Sequence, residues 1–187
     1  MRQKISESRR EGLQFMKRGI VSAILILLCF LLQCTVFRAV DFGGIVPNLL
    51  VILTASFGFM RGERNGLVIG FFCGLLSDIF FGEVLGFYAL ILMYIGYLNG
   101  KFSRVFYPED IKLPAALIIA SDFCYGFVCY VLTFLLRGRL AFGYYFMNII
   151  LPEIVYTAVV TILLYPLILV INKWLEQGER RSARKFV

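Results

Sequence analysis

A chain of 187 residues has the length of one soluble domain, but 60% hydrophobic residues, 16% aromatics and a mean hydropathy of +0.82 place it in lipid. Its formal net charge is +7 and it contains no histidine. That absence removes the usual base for a serine or cysteine nucleophile and the commonest metal ligand, so intramembrane proteolysis and zinc chemistry are poor readings.

In chain order, the first 18 residues, "MRQKISESRREGLQFMKR", mix basic charge with Ile5, Leu13, Phe15 and Met16. They read as a cytoplasmic basic tail, either a helix on the membrane surface or a disordered segment. Six apolar stretches follow, near 19–37, 45–60, 66–81, 84–99, 113–136 and 144–171, and residues 172–187 form a second basic tail. The first stretch has a basic leader, but it is too long for a signal peptide and no small-x-small cleavage site follows it. The alternating pattern of an outer-membrane barrel is absent. The expectation is an all-α integral membrane protein, a compact bundle of about six transmembrane helices spanning residues 19–171. Several stretches are shorter than the roughly 20 residues that cross a 30 Å hydrocarbon core, so tight hairpins with little mass outside the membrane are expected.

Sixteen of the 19 lysines and arginines flank one side of such a six-span arrangement, including Arg61, Arg64, Lys101 and both tails. Only Arg38, Arg137 and Arg139 fall on the other. The positive-inside rule then places both termini in the cytoplasm. This asymmetry accounts for the net charge without nucleic acid, and leaves the tails able to touch anionic lipid. The five cysteines, Cys29, Cys34, Cys73, Cys124 and Cys129, all lie in apolar runs without Cys-x-x-Cys spacing and read as small core residues.

The third stretch has the most informative spacing. Gly66, Gly70, Gly74, Asp78 and Gly82 recur every four residues and form one narrow stripe on a helix, a close-approach surface for another helix that turns Asp78 toward protein. A carboxylate near mid-span costs about 2.5–3.5 kcal/mol while each leucine returns only about 0.3–0.6. Asp78 therefore requires a partner or a position near the interface. Glu83 belongs to the outward turn. Asp122 and Glu153 are two further acids within spans. With no basic residue deep in any span, the partners of these acids must be hydroxyls, amides, water or backbone donors, Asn48, Ser77, Tyr94, Ser121, Asn148 and Tyr156 being the candidate side chains. Buried acids can mark an ion or proton pathway or simply hold helices together. Too few spans and no inverted repeat favour interaction over transport. Pro152, next to Glu153, and Pro166 predict a kinked last span.

Residues 46–102 resemble the central region of the MreD family of rod shape-determining membrane proteins. The likeness rests on Pro47 and Asn48 opening a short span, the Arg61, Gly62, Gly66 turn, Gly70 and Gly74 leading to Asp78, and Gly86 to Leu90 leading to "YIGYLNGK". "LPEIVYTAVVTILLYPL", with Pro152 and Glu153, resembles the last helix of that family, and Asp122 is a further family-like position. The resemblance implies a non-enzymatic scaffold of the cell-elongation machinery, without a cofactor. It implies MreC as partner and, through it, MreB, RodA and a penicillin-binding transpeptidase. It also implies a fold similar to the substrate-binding subunits of energy-coupling-factor vitamin transporters, which are themselves the alternative reading. Against that alternative, Ala23 is followed four residues later by Leu27, so the Ala-x-x-x-Ala coupling surface of those subunits is missing, and the outer loops offer little for a soluble ligand.

Overall fold

A computed structural model describes residues 2–39, 45–82, 84–103, 112–133 and 142–184, and the regular structure among these is helical throughout. The elements are α1 (Arg2–Cys34), α2 (Val36–Ala39), α3 (Leu49–Arg61), α4 (Glu63–Phe81), α5 (Phe87–Phe102), α6 (Lys112–Thr133), α7 (Phe142–Tyr145) and α8 (Leu151–Arg184). A π-helical turn, Phe146–Ile150, leads from α7 into α8.

The bundle is organised around α3. Every residue from Leu49 to Phe59 is buried, including Thr54 and Ser56, so this helix meets protein on all sides. A helix that is apolar all round belongs in a core or in lipid, and here the neighbours α1, α4, α5, α6 and α8 supply the core. Ile26 and Phe30 of α1, Ile69 of α4, Leu92 of α5, Ile118 of α6 and Tyr165 of α8 close around it. Asn48 caps the start of α3, its Oδ1 accepting the Val51 N–H at 3.3 Å.

The outer surface carries the opposite signature. Ile24 and Leu31 of α1, Phe72 and Phe80 of α4, and Ile162 and Leu163 of α8 are all exposed. Large side chains exposed in such numbers would be an aggregation hazard in water and are the expected face of a protein in lipid.

Among the described residues, four stretches are long and apolar enough to cross a membrane: Met16–Cys34, Glu63–Phe81, Lys112–Thr133 and Gly143–Gln177. About six were expected from hydropathy. The shortfall lies in α3, with 13 residues, and α5, with 16, which rise only about 20 Å and 24 Å against a core of roughly 30 Å. Both are cut short by turns that glycine makes possible. Gly62 (φ +86°) separates α3 from α4 by a single residue, and Gly86 (φ +97°) immediately precedes α5.

The tails are not marked off by breaks. Residues 2–34 form one helix through position 18, and α8 runs unbroken through position 171 to Arg184. At the start of α8, Pro152 cannot donate a backbone bond, and the widened turn over Phe146–Ile150 sits directly ahead of it. Pro166 lies inside the same continuous helix.

Candidate functional site

The glycine stripe of α4 faces α5 at backbone distance. A methyl group on Gly70 would collide with the Leu92 carbonyl, one on Gly74 with the backbone of Tyr88 and Ala89, and one on Gly66 with the Gly96 carbonyl and with Gly58. The complementary surface is a second small-residue pair, Gly96 and Gly100, four residues apart on α5. A side chain on Gly100 would strike the backbone of Gly62 and Glu63, and one on Gly58 would meet Gly96. Gly58, Gly66 and Gly96 therefore draw α3, α4 and α5 into a three-way crossing with no room for a β-carbon. Gly96, Gly100 and Gly58 did not stand out in the sequence, although the four-residue spacing within "YIGYLNGK" is the signal that marks the first two.

Asp78 ends this seam and is only 3% exposed. Its Oδ2 accepts the N–H of Gly86 and of Ala89, each at 3.0 Å, and its Oδ1 accepts the N–H of Tyr88 at 2.8 Å. The carboxylate of one helix thus caps the N-terminus of the next, satisfying donors that have no partner inside α5 and meeting the positive end of its dipole. The left-handed backbone at Gly86 folds the turn back far enough for this reach. Asp78 thus takes backbone donors: of the expected side chains, Ser77 donates to the Cys73 carbonyl, Asn148 to the Tyr144 carbonyl, and Tyr94 is exposed. Glu83 lies outside the described residues.

Asp122 and Glu153 occupy a different environment, where α6 and α8 meet the start of α3. They are close enough to interact electrostatically. Asp122 is 2% exposed and neither carboxylate oxygen has a partner at hydrogen-bonding distance. Thr157 is the neighbouring side chain that can donate to it. The Thr157 hydroxyl oxygen accepts the backbone N–H of Asn48 at 3.1 Å, and the Asn48 side chain is also the one that Glu153 faces. Pro47, buried, delivers the chain into this junction. Tyr125 stands beside Cys129 and within range of Glu153, and its ring lies 6.2 Å from that of Tyr88 at the start of α5. The acid pair and the capped turn of Asp78 are thus neighbours through two tyrosines. Thr157 and Tyr125 went unremarked in the sequence because hydroxyls in an apolar run give no periodic signal.

A second polar bridge, Asn99 to Ser121 at 2.7 Å, ties α5 to α6. At the far end of α3, Arg61 donates from Nε to the Asn172 side chain of α8 and lies over the Phe57 ring at 4.8 Å. Asn172 in turn donates to Glu176 at 2.9 Å. Arg61 is thereby fastened to the last helix. Arg137 and Arg139 lie outside the described residues.

Fold and site together define an all-helical integral membrane protein whose polar interior binds its own helices together. The chain belongs to the MreD family, described as rod shape-determining protein MreD, whose family model matches residues 14–174. Its role is accordingly in determining rod shape, within a family of structural membrane proteins. No curated protein and no solved structure matches the chain.

Proposed function

We propose that this protein is a non-enzymatic scaffold of the cell-elongation complex in the bacterial cytoplasmic membrane, with both termini in the cytoplasm. It binds MreC and, through it, connects MreB, RodA and a penicillin-binding transpeptidase, so that peptidoglycan synthesis is positioned along the cell. The observation that carries this reading is the family match over residues 14–174. Within the proposal the chain crosses the membrane six times. Of the two short helices, α3 crosses inside the bundle and α5 at its side, with neighbouring helices replacing lipid around their ends. The fold is then of the kind seen in vitamin-binding subunits of energy-coupling-factor transporters.

On this reading the helix-packing role belongs to Gly66, Gly70, Gly74 and Asp78, whose surfaces are spent inside the chain, with Gly86 supplying the turn and a backbone N–H to Asp78. Their rigidity lets the bundle act as a fixed platform.

Depletion of the protein with microscopy, combined with affinity purification of the tagged chain, tests the proposal. Rounded cells and recovery of MreC are expected. Normal elongation, or a growth defect rescued by one vitamin with an ATPase co-purifying, would overturn it. For orientation, a cytoplasmic reporter at Val187 and a periplasmic reporter at Arg139 should both be active, and the reverse at either site contradicts the topology.

A further inference from the structure

Between α1 and α4 lies a cleft of about 500 Å³, within the roughly 300–1,000 Å³ of small-molecule sites. Its walls are apolar, formed by Ala23, Ile26 and Leu27 on α1 and by Val68, Phe72 and Leu76 on α4. Its shape is set at the two ends. Phe30 of α1 packs on Phe80 and Phe81 of α4, with ring centroids 5.0 and 5.9 Å apart, and pins the helices together there. At the other end the lining residues are Arg18, Gly19, Ser22, Arg61 and Asn65, and a side chain added at Gly19 would meet nothing within 4 Å.

Two guanidinium groups share this open end. Arg18 and Arg61 are near enough to repel each other, with Glu176 a carboxylate that Arg61 also feels. The Nε of Arg61 is used by Asn172, whereas its Nη2 is buried without a hydrogen-bond partner. A buried charged donor left unsatisfied is costly, and an anion at the cleft mouth would remove that cost.

The depth of the cleft narrows the choice of anion carrier. From Arg18 to Leu27 the helix rises about 14 Å, close to half of the roughly 30 Å hydrocarbon core. The occupant is therefore charged at the interface, apolar below it, and ends near the bilayer midplane. A transmembrane helix of a partner would need the groove to continue, and the Phe30 contacts stop it. We propose that this cleft binds one anionic phospholipid, with its headgroup phosphate at Arg18 and Arg61 and an acyl chain between α1 and α4. The inference rests on the membrane reading of the chain, and holds for either orientation.

The full-length protein, purified in detergent, is offered dioleoylphosphatidylglycerol or dioleoylphosphatidylcholine and retained lipid is read by native mass spectrometry. Preferential retention of one phosphatidylglycerol is expected. Arg18→Gln and Arg61→Gln should each lower that preference by about fivefold, in line with about 1 kcal/mol per basic residue at an anionic surface. Gly19→Leu, for which the cleft has room, should reduce retention of the lipid with the thermal unfolding midpoint unchanged. A photo-crosslinking residue placed at Ala23 should give an adduct with the mass of the phospholipid. Equal retention of the two lipids, a preference unmoved by both arginine substitutions, displacement by inorganic phosphate alone, or a crosslink to protein at Ala23 would each overturn the proposal. Loss of rod shape is not the readout, so failure here is distinguishable from failure of the scaffold reading.

Discussion

Two carboxylates of nearly equal burial, Asp78 at 3% exposure and Asp122 at 2%, are treated in opposite ways by the fold. Asp78 sits where a chain reversal brings three backbone N–H groups onto its two oxygens, so its charge is fully used in closing the α4–α5 hairpin. Asp122 emerges from mid-helix in α6, where every local N–H is already spent in the helix, and its oxygens face Thr157 and the second acid, Glu153. An aspartate at a helix terminus finds donors that need it, whereas one in a helix interior must rely on side chains from elsewhere. The first region is consequently rigid and self-contained, and the second is held by fewer and weaker bonds.

The difference can be broken most forcefully in the hairpin itself. Gly70→Leu drives a side chain into the Leu92 carbonyl, backbone that cannot move without displacing α5. The cost should exceed about 3 kcal/mol, beyond the usual 1–3 of overpacking, and appear as loss of monodisperse protein in size-exclusion chromatography. Asp78→Ala strips three hydrogen bonds from the α5 N-terminus and should lower stability by about 3 kcal/mol, read as a fall in the detergent unfolding midpoint. Asp78→Asn keeps one acceptor oxygen and should fall between alanine and wild type.

A smaller effect sharpens the role of the turn. Gly86→Ala forces an L-residue to φ +97°, and its expected cost is about 1–2 kcal/mol by the same unfolding measurement. The smallest change is expected on the other side of the comparison. Asp122→Asn replaces a carboxyl that has no hydrogen-bond partner by a group of the same shape, so stability should stay within about 1 kcal/mol of wild type. A loss as large as that of Asp78→Asn would show that the two acids are equally well held and would erase the contrast.

Much of the hairpin was legible from spacing. Glycines four residues apart on a helix share a face whatever surrounds them, so the α4 seam and the inward aim of Asp78 follow from periodicity alone. What the seam meets did not follow, because Gly96 and Gly100 become its counterpart only once the turn at Gly86 brings α5 back alongside. Backbone donors are among the partners the sequence allows for a buried acid, but which of them Asp78 takes is set by the turn at Gly86, and no residue type advertises it. The second apolar stretch was read as a span like the others. Hydropathy cannot distinguish a helix sheathed in lipid from one sheathed in protein, and α3, 13 residues long and buried throughout its first eleven, is the latter.

By itself the sequence determined that this protein lives in a membrane, that it is helical, that its α4 glycines form a close-packing face, and that it resembles a rod-shape family. These properties depend on composition, on a fixed helical period and on local motif order. Only the tertiary structure decided that α3 is the hub, that Asp78 caps α5, that Asp122 and Glu153 share one junction with Asn48 and Thr157, and that α1 and α4 splay around a cleft ending in two arginines. Each of these depends on which helices lie side by side, which in a chain apolar on nearly every face is set by close backbone fit and a few buried polar bonds, not by hydrophobic pattern.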